Sequence, residues 1–427
     1  VRDRFPWILS AIYAVIFTAL GAVRYNVHRN LVDFGIFEQT IASSFGCFCN
    51  TIEGSHWAFH FSPILYLSGA LIALWKSPYV LIALQTVSCA LVIPPVYALA
   101  NKSKLAAVVV FLYPPLAGLA FGDFHENSFA PAAIAWAIWA FDSGALVVAL
   151  IAALVAICVK EDQAIFLAAA GGWAAWRYRG SQRAVAAIIA VVGVVVATTF
   201  FFAIQPHAAA NPHWSPTRFY AWTNADLAQF FPGGVLGRIG FFALAFLPLL
   251  FLPFRTRAGW LLLLPLAEVL LSRMPTTYNM SSHYAGEWAG YALVAFAIGA
   301  RSLDVVRLQP MLWTCISFCL VELAVANPMH TGLNVRAVQP RDRALDATIA
   351  SLPKDASVAT QEEAFTHLGL TDENATLLPE DPSISVTSCF VLIDRDFPDS
   401  PRLQEYAAAL PSTKRGISLL HARGQCP

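Results

Sequence analysis

The chain has 427 residues, of which 57% are hydrophobic and only 13% charged, with 27 basic and 27 acidic side chains. That composition excludes a soluble globular domain of this length, and a formal charge of zero excludes a global basic field that would recruit nucleic acid. A polytopic membrane protein remains, in which the placement of the few charges carries the information.

The first apolar run, at about 7 to 23, follows Arg2 and Arg4, which read as the flank of a signal anchor rather than of a cleaved signal peptide, since many more runs follow. Residues 24–77 form the expected first outer loop. Within it, LVDFGIFEQTIASSFGCFCNTIEGSHWAFHFSPILYLSGALIALW (31–75) sets Asp33, Glu38 and His60 among aromatics, where a connection between spans needs only a short polar turn. Cys47 and Cys49 look too close in sequence for an easy mutual disulfide. The apolar run 61–75, introduced by HFSP and flanked by Trp57, Phe59, Phe61 and Tyr66, suits a juxtamembrane helix.

Further runs lie at about 78–100, 105–121, 127–141, 145–159, 163–176, 184–204, 239–253, 258–271, 284–300 and 309–326. Several fall short of the ~20 residues that cross a ~30 Å hydrocarbon core, so charge must decide. With 61–75 lying in the interface, Arg2, Arg4, Lys102, Lys104, Arg177, Arg179, Arg183, Arg255, Arg257, Arg301 and Arg307 share one side, the cytoplasm by the positive-inside rule. The expectation is therefore eleven transmembrane helices and a cytoplasmic N-terminus. The acidic and histidine motifs then all fall on the outer face: VDFGIFEQ (32–39), HFSP (60–63), GDFHEN (122–127), VKEDQ (159–163) and SSHYAGE (281–287), with Glu268 and Glu322 about one turn below outer ends.

After Asn327 the apolar runs shorten and charges spread. Residues 1–326 read as the transmembrane domain and 327–427 as a small extracytoplasmic α/β domain, with a helix over 341–352, strands at DASVAT and CFVLIDRD, and a second helix over 401–410. Cys389 and Cys426 are candidates for a disulfide there. No GxGxxG, Walker or HExxH pattern occurs.

Taken together, the segments VDFGIFEQ, HFSP, GDFHEN and VKEDQ resemble those of a bacterial family of predicted membrane proteins of unknown function, marked by YDLGIFDQ-like, HFSP, DFHP-like and KED-like motifs. That family in turn is similar to the GT-C superfamily of membrane glycosyltransferases, which includes protein mannosyltransferases and the aminoarabinose and arabinose transferases of bacterial envelopes. The chain departs from the pattern at Val32, Glu38 and Asn127, where tyrosine, aspartate and proline are usual, and the carboxylate chemistry survives those changes.

The resemblance implies an inverting glycosyltransferase of the cytoplasmic (inner) membrane, which moves a sugar from a polyprenyl-phosphate donor to an envelope glycan, lipid or protein at the outer face. It implies Asp33 as general base, with Glu38 the second choice. Donor and phosphate contacts are expected from His60, Lys160, Glu161, Arg218, Arg273, His283 and Tyr284. A divalent cation, Mg or Mn, would be held by Asp33, Asp123, His125 and Glu126. Bland alternatives exist for the same letters, such as a local ion network of Lys160, Glu161 and Asp162. Two other functions compete: a transporter or flippase of a lipid-linked substrate, and a non-catalytic envelope-binding membrane protein. Partners are the bilayer, the lipid-linked sugar and its acceptor, with no nucleic acid.

Overall fold

The computed structural model describes residues 3–208, 219–229, 234–354, 356–379, 386–395, 405–406, 408 and 417–421. Helix α1 (Phe5–Asn26) is opened by Pro6, which fits a first turn whose N–H groups lack intrahelical partners. Helix α2 (Val32–Ala42) follows, and then strands β1 (Cys49–Asn50) and β2 (Gly54–Ser55) pair as a small antiparallel hairpin. Phe48 adopts a left-handed φ of 49°, and the resulting bend brings Cys47 and Cys49 to 5.2 Å at Cα, joined in a disulfide. The expectation that these cysteines are too close is thus corrected: the bend, which the spacing alone does not reveal, supplies the separation that a bridge needs. Helix α3 (Leu65–Leu74) has ten residues, about 15 Å, half of what a crossing requires.

Helices α4 (Pro78–Ala90) and α5 (Ile93–Leu99) form one broken 22-residue segment, with Pro94 and Pro95 in the first turn of α5. Helices α6 (Lys104–Leu112) and α7 (Pro114–Phe121) bend by 49° at Tyr113, whose extended ψ of 116° is what a following proline imposes. The bundle continues with α8 (Ala130–Asp142), α9 (Leu146–Ile157), α10 (Glu161–Arg177) and α11 (Gly180–Thr199), the last running through a π-helical turn into α12 (Gln205–Ala208). After α13 (Asn224–Gln229) come α14 (Val235–Phe246), α15 (Leu263–Leu271), α16 (Ala285–Arg301) and α17 (Val305–Val325). Among the described residues, four segments, α1, Pro78–Leu99, Gly180–Ala208 and α17, are individually long and apolar enough to cross a membrane, and the bent pair α6–α7 makes a fifth.

Helix α16 is the axis of the bundle, buried along nearly its whole length, whereas α11 and α17 bury only a stripe and leave Val191, Val194, Val195, Leu320 and Val321 exposed. Such apolar exposure suits lipid-facing surfaces. Gly286 and Gly290 let α16 approach Asn127 and Pro131 so closely that a Cβ at either glycine would collide with backbone. The two ends of the bundle differ in chemistry. Lys104 lies over the Phe5 ring, and Arg301 pairs with Asp142 at 2.6 Å, at the end where α1 begins. At the other end of α1, Arg24 donates to the Phe121 carbonyl, next to GDFHEN.

Beyond α17 lie α18 (Thr331–Asn334), α19 (Pro340–Ala350), α20 (Glu362–Phe365) and strands β3 (Val358–Thr360), β4 (Ala375–Leu377), β5 (Phe390–Asp394) and β6 (Ile417–His421). The sheet order is β4-β3-β5-β6, with β3 parallel to β4 and β5, and β6 antiparallel to β5. Strands β3 and β5 fall in DASVAT and CFVLIDRD, and both are buried throughout, as central parallel strands are. Cys389 is disulfide-bonded; Cys426 and most of 401–410 lie outside the described residues.

Helix α2 is the hinge plate between the halves. Phe34, Phe37 and Ile41 join the membrane core, whereas Ile36 joins a cluster with Leu345, Phe365 and Leu392. Gly35 accepts the Phe365 ring, and a Cβ there would overlap it. Gln39 donates to the carbonyls of Asp372 and Ala375 and accepts from Thr51.

Candidate active site

Asp33 occupies the first turn of α2, where a carboxylate is favoured by the helix dipole, and Phe37 follows four residues later on the same face. The Phe37 ring meets His125 edge-on at 4.6 Å, and His125 in turn stacks on His283 at 3.7 Å with 9° between planes. His283 Nδ1 lies 3.5 Å from Asp33 Oδ2. Three outer motifs therefore meet at one point. Burial opposes ionisation of Asp33, but its hydrogen bond and charge interaction with His283, helped by His125 and His60, hold the carboxyl down at about 2. Its side chain remains 40% exposed. Asp33, His283 and Tyr284 open onto a cavity of about 610 Å³ that Arg24, Arg29, Asp123 and His330 also line.

Asp123 sits across this cavity and is already occupied. It accepts from Asn30 at 2.9 Å and from the Leu31 N–H, and pairs with Arg24 at 3.0 Å. Burial lifts its carboxyl while Arg24 opposes the rise. His125 Nδ1 accepts from the Asn127 N–H and lies 2.9 Å from Glu126, which has no exposed surface. Burial, with the neighbouring His283, keeps His125 well below the usual histidine range. The expected cation set of Asp33, Asp123, His125 and Glu126 does not fit these observations. Asp123 is engaged by Arg24, Asn30 and Leu31, Glu126 is sealed beneath His125, and among the described residues the four do not form a group of donor atoms within 4.8 Å of one another.

The KED segment lies deeper. Lys160 pairs with Glu287 at 2.8 Å and Asp162 at 2.9 Å, 5.5 Å from the centre of the Tyr284 ring. Asp162, Glu268 and Glu287 bring their carboxylates within 4.8 Å of one another. Glu161 turns the opposite way, bonding His60 Nδ1 at 2.9 Å and the Phe61 N–H at 2.8 Å, so that HFSP and KED hold each other. Burial lowers His60 to about 4. Lys160, Glu161 and His60 are thus engaged with one another's motifs below the cavity rather than lining it. Arg273 pairs with Asp226 at 2.9 Å, and Arg218 lies outside the described residues.

Glu38 departs from its expected place. Five residues beyond Asp33 it points about 140° away, toward the C-terminal segment, where its carboxylate packs against Gly369. Only 1% of it is exposed, neither oxygen has a hydrogen-bond partner among the described residues, and burial pushes the carboxyl well above its ordinary range. The reason is that Glu38 faces the turn after α20, not the cavity.

Arg24, Arg29 and His330 were not among the expected site residues. Their signal was nonetheless present: Arg24 and Arg29 are basic residues at the end of the first apolar run opposite Arg2 and Arg4, against the charge bias behind the expected topology. His330 carries a left-handed φ of 47° just after α17, a conformation sequence does not announce.

A family model described as "Predicted membrane protein (DUF2079)" matches residues 25–384. No curated protein matches the chain. Among solved structures, ArnT from Cupriavidus metallidurans in the apo state is similar in fold, with a TM-score of 0.50 and 12% sequence identity over 96% of this chain and 97% of that one. At that identity the likeness is one of fold, and it agrees with the GT-C resemblance carried by the motifs.

Proposed function

We propose that this protein, which belongs to the DUF2079 family of predicted membrane proteins and has an ArnT-like fold, is a GT-C-type membrane glycosyltransferase. Its donor is a sugar on a polyprenyl phosphate, and its acceptor an envelope hydroxyl or amine. The observation that carries this reading is the ionised, partly exposed Asp33 bound to His283 in a cavity that also holds Arg24 and Arg29.

In the proposed reaction the acceptor oxygen or nitrogen bonds to the sugar carbon as the bond from that carbon to the phosphate oxygen breaks, with inversion. The acceptor proton leaves to the Asp33–His283 pair. A carboxylate held at about 2 is a weak base alone, so in this proposal Asp33 acts chiefly by holding Nδ1–H on His283, which leaves Nε2 to take the acceptor proton. The departing lipid phosphate gains negative charge, which Arg29 stabilises from the cavity wall, while Arg24, engaged by Asp123 and by the Phe121 and Arg29 carbonyls, holds that wall in place. No step is assigned to a metal ion.

The topology that serves this chemistry has eleven spans, a cytoplasmic N-terminus and the cavity and C-terminal segment outside. An impermeant thiol reagent applied from the periplasm should label Gly332→Cys and miss Lys102→Cys; the reverse pattern overturns it. For the activity itself, purified protein given a polyprenyl-phosphate sugar and an envelope acceptor should release polyprenyl phosphate and yield a covalent product. Movement of the donor across vesicles with no covalent product would favour a transporter instead.

A further inference from the structure

Away from the cavity, three side chains from distant parts of the sequence converge where the end of α1 meets the C-terminal segment. His28 Nε2 lies 3.0 Å from Asp346 Oδ1, and His367 Nδ1 lies 3.9 Å from the same oxygen. All three donor atoms fall within 4.8 Å of one another. The two imidazoles stack at 4.1 Å, and Tyr25 stacks on the far side of His367 at the same distance.

The surroundings fix the direction of both rings. His367 Nε2 lies 3.2 Å from the Tyr25 carbonyl, which can only accept, so Nε2 carries the hydrogen and the Nδ1 lone pair faces Asp346. On the other ring, His28 Nδ1 lies 3.8 Å from Asp342, itself gripped by both terminal nitrogens of Arg336. The bond of His367 Nε2 to a backbone carbonyl is the arrangement that orients metal-bound histidines, whereas His28 Nδ1 is too far from Asp342 for a hydrogen bond and the ring is held instead by the bond of its Nε2 to Asp346. His28 is fully buried and held at a left-handed φ of 56°, so its direction is set by the fold rather than by side-chain freedom. The Asp346 side chain is 51% exposed, which leaves the carboxylate movable and a path to solvent.

We propose that His28, Asp346 and His367 form a binding site for a divalent transition-metal ion of the zinc class, which staples the end of α1 to the C-terminal segment. Two imidazoles and one carboxylate suit zinc better than magnesium or calcium, whose sites are built from oxygens. Metal–nitrogen distances of about 2.0–2.1 Å require the donors to close in by a small shift, which the exposed Asp346 permits. Zinc here would hold α2 between the membrane bundle and the sheet, because His28 lies four residues before α2 and His367 two residues after α20.

The test uses the full chain in detergent, stripped with chelator and titrated with Co²⁺ alone, then Zn²⁺. One Co²⁺ per chain should bind with visible ligand-field absorption, be displaced by Zn²⁺, and raise the unfolding temperature. Asp346→Asn keeps the size and hydrogen bond of a half-exposed side chain, and it should weaken binding at least tenfold and abolish the thermal shift. His367→Gln should do the same where it folds. No Co²⁺ absorption in the wild-type chain, or a spectrum and affinity unchanged in Asp346→Asn, would overturn the proposal.

Discussion

The imidazoles of His125 and His283 lie face to face, 3.7 Å between ring centres and 9° from parallel. This contact ties the second outer loop to the entrance of α16 and fixes the direction in which His283 meets Asp33. At that separation two charged rings would repel, and burial keeps His125 well below the usual histidine range. His125→Phe should preserve the stacked surface and much of the turnover. His125→Ala should leave His283 loose and lower kcat up to about 10²-fold, with donor KM little changed. Steady-state kinetics of the two variants check this, and equal kcat values for both would disconnect the stack from catalysis.

Glu38→Gln should be tolerated. Its folded pKa lies above the unfolded value of ~4.3, so the unfolded chain releases this proton first, and stability declines as pH rises from there toward the folded pKa. Glutamine fills the same space without a proton to lose. Thermal unfolding should therefore favour the variant increasingly as pH rises above ~4.3, by at most about 1.4 kcal/mol per pH unit, with turnover retained. A loss of turnover comparable to that of Asp33→Asn would return Glu38 to the site.

Gly35→Ala should loosen the C-terminal segment from α2, because the added methyl would meet the fully buried Phe365 ring. Overpacking of this kind costs roughly 1–3 kcal/mol. Limited proteolysis should then cut the chain beyond α17 faster than in wild type, with the bundle itself intact. Unchanged proteolysis would mean that Phe365 finds another seat.

Much of this organisation was legible before any coordinates, and what was missed has identifiable causes. Charge bias and apolar runs marked the segments of the bundle, and the juxtamembrane run 61–75 is a helix too short to cross. VDFGIFEQ was legible as one stretch but not as a divided one. Asp33 lines the cavity and Phe37 packs on His125 beside it, whereas Gly35, Glu38 and Gln39 pack against a segment encoded more than 300 residues later. No local pattern reveals a partner at that distance. HFSP and KED were recognised separately, and their union through His60 and Glu161 is likewise a tertiary fact. Lys160 read as a phosphate cation because its sequence neighbours alone cannot announce Glu287.

The most direct test compares wild type with Asp33→Asn, using purified protein, a polyprenyl-phosphate sugar donor and an envelope acceptor. Turnover is measured per enzyme, and donor affinity is measured separately. Asparagine keeps the shape but can neither hold charge beside His283 nor take part in accepting the proton. Turnover should fall about 10²- to 10⁴-fold while donor binding stays within about twofold. Wild-type turnover by Asp33→Asn would contradict the assignment of this cavity as the place where the sugar is transferred.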